Sequence, residues 1–150
     1  MTVVRAIDLP CTPADAWDVL TRWERQVDWM LDADEIVVTS PEREGVGVRL
    51  DVKTRLFQIP AFTDAMEVTA WDPPHRLEIA HGLPVQGRGT WTLEPIPAVG
   101  TRFTWTEEVA LAVPALGRLA AAAYAPVMRL LMARAQRGLK GLIVASGPAR

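Results

Sequence analysis

A chain of 150 residues, 49% hydrophobic and formally −2 at neutral pH, is sized for one domain that buries about 70% of its unfolded surface. The apolar content excludes global disorder, and the charge provides no basic face for nucleic acid. Cys11 is the single cysteine, which excludes an internal disulfide. Residues 1–5 lack the basic and apolar regions of an export signal. The longest apolar block, residues 119–131, contains Pro126 and Arg129 and falls short of the ~20 residues a membrane span needs. The expectation is a cytoplasmic protein with a single domain over residues 1–150 and a core from about 3 to 144.

Residues 3–9 read as a first strand, ended by Pro10. Thr12-Pro13-Ala14-Asp15 then has the makings of a helix start: a hydroxyl cap, proline at the first helical position and an acid in the first turn. Ala16, Trp17 and Leu20 supply that helix with an apolar face, and a short helical or irregular stretch over 23–31 follows, closed by Asp32-Ala33-Asp34. Strands are expected at 35–39 and 45–56. In the second, Val46, Val48, Leu50, Val52 and Leu56 alternate with Arg49, Asp51, Lys53 and Arg55, the mark of an antiparallel sheet solvated on one face. Further strands are expected at 62–71, 76–82, 88–94 and 101–109, with Asp72-Pro73-Pro74 and Pro95 to Gly100 as turns. A long apolar helix over 114–144 finishes the chain. Pro126 inside it predicts a kink or a split, and Arg129, Arg134, Arg137 and Lys140 form its solvated stripe. The order is one strand, two short helices, about six strands and a long helix, an α+β domain.

That order, with these residues, resembles the START-like superfamily of helix-grip proteins, and within it the polyketide cyclase/dehydrase or SRPBCC branch. The resemblance spans nearly the whole chain. It is carried by Ile7-x-Leu9-Pro10-x-Thr12-Pro13-x-x-x-Trp17-x-x-Leu20, by Trp71-Asp72-Pro73-Pro74-His75-Arg76-Leu77, and by Gly89-Thr90-Trp91-Thr92-Leu93-Glu94-Pro95 with Gly100-Thr101-Arg102-Phe103-Thr104-Trp105. It implies a curved antiparallel sheet of about seven strands gripping the C-terminal helix, with an apolar cavity between them. It supplies no shared catalytic motif, so it assigns no catalytic residue by position.

Standard catalytic equipment is missing from the sequence. The only serines, Ser40 and Ser146, stand beside a turn proline and near the C-terminus, and no G-x-S-x-G elbow exists. His75, His81 and Cys11 have no ligand-like spacing, so no metal is expected, nor any cofactor. Gly45-x-Gly47 and Gly87-x-Gly89 lack the third glycine of a nucleotide loop and read as strand-end or bulge glycines. Alternation places His81 on the inner side with Leu77 and Ile79, Asp64 with Phe62, Met66 and Val68, and Glu107 with Phe103 and Trp105. A histidine with carboxylates in an apolar pocket is general acid/base equipment. For each acid taken singly, a parity slip at a bulge that turns it to solvent is the favoured placement, and His81 sits equally well on the rim.

The expected inner wall is Leu50, Val52, Phe62, Met66, Leu77, Ile79, Trp91, Phe103 and Trp105 from the sheet. Leu116, Leu119, Ala120, Ala123, Tyr124 and Val127 complete it from the helix. Trp91 and Trp105 are expected as core before ligand shelf, and Trp17, Trp23 and Trp29 as packing for the short helices. The function these features favour is binding of a small hydrophobic or aromatic ligand, lipid- or polyketide-like. The alternative is a polyketide aromatase/cyclase or dehydratase using His81 with Asp64 or Glu107. A third possibility is a protein-interaction domain with a filled core. Ligand identity and oligomeric state are not legible.

Overall fold

The computed structural model describes residues 1–56, 59–83, 85–111 and 116–147. Seven strands form one antiparallel sheet: β1 (Thr2–Leu9), β2 (Ala33–Val38), β3 (Arg49–Leu56), β4 (Ile59–Asp72), β5 (Arg76–His81), β6 (Val85–Ile96) and β7 (Gly100–Leu111). Their spatial order is β1-β7-β6-β5-β4-β3-β2, a run of hairpins whose first strand crosses over to close against the last. Helix α1 (Pro13–Leu20) and a 3-10 helix (Trp23–Asp28) lie between β1 and β2, and α2 (Gly117–Ser146) follows β7.

The start of α1 is capped as its sequence demands. Thr12 Oγ1 accepts from the Asp15 N–H at 3.2 Å and donates to its carboxylate at 2.8 Å, with Pro13 in the first turn. Ala16, Trp17 and Leu20 are its buried residues. Trp17 packs edge-on against Trp71 of β4, with centroids 5.0 Å apart, and Trp29 meets Trp91 and Trp105 at 5.9 and 6.2 Å. The tryptophans of the short helical region thus fasten it to the sheet.

Three expectations about the elements need correction. The strand expected from residue 45 begins at Arg49, because Gly45 and Gly47 adopt positive φ of 95° and 94°, a turn conformation rather than an extended one. Val46 is therefore exposed, while Val48, Leu50 and Val52 are buried; the side chain of Leu56 lies outside the described residues. Gly87 and Gly89 sit inside β6 in unbroken register with β7, so neither ends a strand nor marks a bulge. Pro126 does not split the last helix, which runs as one element of 30 residues. The expected start of that helix at Pro114 lies outside the described residues.

Helix α2 is anchored by its second half. Met132, Ala135, Gln136, Leu139 and Ile143 are buried, and Gln136 Nε2 donates to the Arg5 carbonyl of β1 at 3.1 Å. Among the described residues no helix is long and apolar enough to cross a membrane.

Candidate functional site

Between the sheet and α2 lies a cavity of about 310 Å³. Its wall follows strand parity: Leu50 and Val52 from β3, Phe62, Asp64 and Met66 from β4, Leu77, Ile79 and His81 from β5, Trp91 from β6, and Trp105 and Glu107 from β7. The one register shift between β4 and β5 falls between Val68 and Ala70, beyond Asp64, so the acid keeps the inward parity of Phe62 and Met66. The β6–β7 and β1–β7 ladders have no shift at all, and Glu107 therefore stays on the face of Trp105. Both acids point inward, against the single-residue expectation that a parity slip would turn each to solvent.

Three titratable groups converge there. His81 Nδ1 lies 2.7 Å from Asp64 Oδ2, and its Nε2 lies 3.1 Å from Glu107 Oε2. Asp64 also accepts from the Gly82 N–H at 3.1 Å, and Glu107 Oε1 from Trp105 Nε1 at 2.6 Å. The three side chains are 12%, 4% and 8% exposed for His81, Asp64 and Glu107. A neutral imidazole would turn one lone pair toward a carboxylate, whereas the imidazolium donates to both. Burial opposes the charge on the ring, but the hydrogen bonds and charges of Asp64 and Glu107 outweigh it, and the His81 pKa is pushed up to about 10 from 6.5. With both ring nitrogens donating, His81 offers no lone pair to a metal or to a substrate proton.

The backbone makes room for this cluster. Gly89 pairs with Glu107 across the β6–β7 ladder, and a Cβ at Gly89 would stand 2.8 Å from Glu107 Oε1. Any side chain there would displace the carboxylate that holds His81 and Trp105.

Of the expected wall, Leu50, Val52, Phe62, Met66, Leu77, Ile79, Trp91, Trp105, Ala120 and Tyr124 line the cavity. Phe103 does not. It is fully buried beside Trp91 and Trp105, 5.9 and 6.4 Å away between centroids, and is part of the core. Leu116 and Leu119 are exposed, at 61% and 70%, Ala123 faces solvent as well, and Val127 is half-buried outside the lining. Of the stripe expected on the helix, Ala120 and Tyr124 are retained, and the rest of the observed stripe is turned round the helix from it. Ala120, Tyr124, Met128, Leu131, Met132 and Ala135 are the α2 residues that face the cavity. Apart from Tyr124 and Leu131, this stripe is made of small or flexible alanine and methionine side chains.

Sequence reading also misses Asp32, which it places only at the close of the short helical stretch. This acid lines the cavity just before β2. Burial pushes its carboxyl up from the ordinary range; its own backbone N–H and the charge of Arg55 pull the other way, and the charge of Glu107 adds to the rise. Tyr124 lines the cavity too, its hydroxyl shifted upward by burial and by the charge of Asp32.

The sequence matches, over residues 1–143, the profile of the family described as polyketide cyclase / dehydrase and lipid transport. The chain belongs to that family. Among curated proteins no sequence match is found. Solved structures show that this cyclase/dehydrase-family chain has the helix-grip architecture. A Thermus thermophilus protein, TTHA0849, superposes with a TM-score of 0.80 at 18% identity, covering 98% of this chain and 99% of its own. A Staphylococcus aureus protein of unknown function, SA2116, gives 0.75 at 11% identity over 97% and 94%. The di-domain ARO/CYC BexL from the BE-7585A biosynthetic pathway gives 0.72 at 16% identity. All of this chain is covered in that match but only 50% of BexL, so the family member corresponds to one half of that protein. At these identities the likeness is one of fold.

Proposed function

We propose that this protein binds a small, mostly apolar ligand in the cavity between the sheet and α2, with the ligand's polar end toward the carboxyl groups of its wall. The observation that carries this reading is a cavity of about 310 Å³ whose lining is apolar except for a few convergent polar groups, the usual make-up of a small-molecule site. The volume is at the lower end of the ~300–1,000 Å³ of such sites, which suits a bicyclic skeleton. An aromatic body of that kind buries roughly 150–250 Å². At ~25 cal/mol/Å² this contributes about 4–6 kcal/mol, which corresponds to dissociation constants from about millimolar to tens of micromolar.

Isothermal titration with 1-methylnaphthalene tests this. Met128 lines the cavity, whereas Leu119 is exposed on another face of α2. Binding by the wild type should weaken about tenfold or more in Met128→Trp, which fills the space, and stay unchanged in Leu119→Trp. Equal heats in all three proteins would sink the reading.

A second reading, cyclisation or dehydration of a polyketone in the same cavity, is favoured by the carboxyl groups gathered in a largely apolar cavity. Ring closure removes a proton from carbon and delivers one to a carbonyl oxygen; dehydration then expels water. Here the doubly donating His81 would hold its carboxylates in place rather than act as base. Asp64 or Glu107 would take the proton from carbon, and Asp32, with its raised carboxyl, would give one to the carbonyl oxygen. Product analysis with a linear polyketone tests this: loss of turnover in Asp32→Asn supports it, and turnover equal to that without protein excludes it.

A further inference from the structure

The polar groups of the cavity are unequal in charge. Asp32, Asp64 and Glu107 are three carboxyl groups; among the described lining residues the cations are the His81 side chain and the Met1 ammonium, which donates to the Val109 carbonyl at 2.9 Å. The ring of His81 is fully engaged, since both of its nitrogens are in contact with carboxylate oxygens of Asp64 and Glu107. Asp64 and Glu107 each accept a further bond, from the Gly82 amide and the Trp105 indole.

Asp32 is different. Among the described residues no side chain donates a hydrogen bond to its carboxylate; its own backbone N–H and the charge of Arg55 are what favour its ionised form. Arg55 is itself paired with Asp34. The wall therefore holds a half-buried carboxyl group without a side-chain donor, whose oxygens can accept from a ligand's head.

We infer that the cavity selects an apolar ligand with a hydrogen-bond-donating head, a protonated amine foremost, that docks on Asp32, and that it rejects carboxylate-headed molecules such as fatty-acid anions. An entering carboxylate would lose its water, face the Asp64 and Glu107 carboxylates and find both ring nitrogens of His81 already taken, a like-charge juxtaposition that costs affinity. An entering N–H or O–H finds a carboxyl oxygen that can accept it, and a cation also favours the ionised form of Asp32. The hydroxyls of Thr54 and Tyr124, also on the wall, donate or accept equally and do not alter this balance. The inference rests on the ligand-binding reading and adds the chemical class of the head group.

A matched series separates the two. Isothermal titration at pH 7 with 1-naphthylmethylamine, 1-naphthylmethanol, 1-methylnaphthalene and 1-naphthoate keeps the skeleton and changes the head. The expected order is amine, alcohol, methyl, carboxylate, with the amine about tenfold tighter than the methyl compound, as one charge-assisted hydrogen bond provides. In Asp32→Asn the amine-to-methyl ratio should fall to about threefold or less. A flat series, or naphthoate binding as tightly as methylnaphthalene, overturns the head-group inference while the cavity reading stands. A ratio unchanged in Asp32→Asn overturns docking on Asp32. If none of the four compounds binds, both readings fall together.

Discussion

His81 is held between two acids that come from strands on either side of β5, at 2.7 and 3.1 Å, and this geometry fixes its charge. The ring binds its proton more tightly in the folded chain than in the unfolded one, with a pKa of about 10 against 6.5. Its contribution to stability is therefore complete below about pH 6.5 and is lost progressively as the pH rises through about 10. Nitrogen-detected NMR should find the ring still doubly protonated at pH 8; a titration centred near 6.5 would show that the carboxylates do not hold it. His81→Ala removes the cation and leaves buried carboxylates facing an empty space. A loss of about 3–5 kcal/mol is expected in urea unfolding at pH 7, and a loss below about 1 kcal/mol would mean that the cluster is solvated in solution.

The elements were largely legible because each announces itself by a local rule. Thr12-Pro13 capped a helix, and alternation on β5 and β7 put Ile79, His81, Trp105 and Glu107 on one face. Alternation could not say where the ladders slip, since register shifts depend on the partner strand. For Asp64 the answer hinged on a shift located near Thr69. The helix was only partly right in phase: Ala120 and Tyr124 face the cavity as expected, but nothing in the sequence says that Met128, Leu131 and Met132, not Leu116, Leu119 and Val127, complete that face. Asp32 escaped notice because its burial is made by tertiary packing, which leaves no periodic trace. Gly89 was visible, but its role depends on the opposite residue being Glu107. Gly89→Ala should displace that carboxylate from Trp105 and His81, with a loss of about 1–3 kcal/mol from overpacking and a lower His81 pKa. An unshifted His81 titration in this variant would show that Glu107 keeps its hold on the imidazole.

At the scale of the molecule, the C-terminal half of α2 is packed and its first half borders the cavity. Met132, Ala135, Leu139 and Ile143 hold the helix to the sheet, while Leu116 and Leu119 remain exposed. Ile59 and Leu83, also exposed, lie at the same end of the sheet as Phe62 and Val85 of the lining. The fold thus spends its packing on one half of the grip and leaves space under the other. The central claim is that this space holds a ligand. The most direct measurement is native mass spectrometry of protein purified without detergent, followed by addition of 1-methylnaphthalene. The expected result is a one-to-one adduct, either retained from purification or formed on addition, and lost in Met128→Trp. An unliganded mass that does not change at saturating ligand would contradict it.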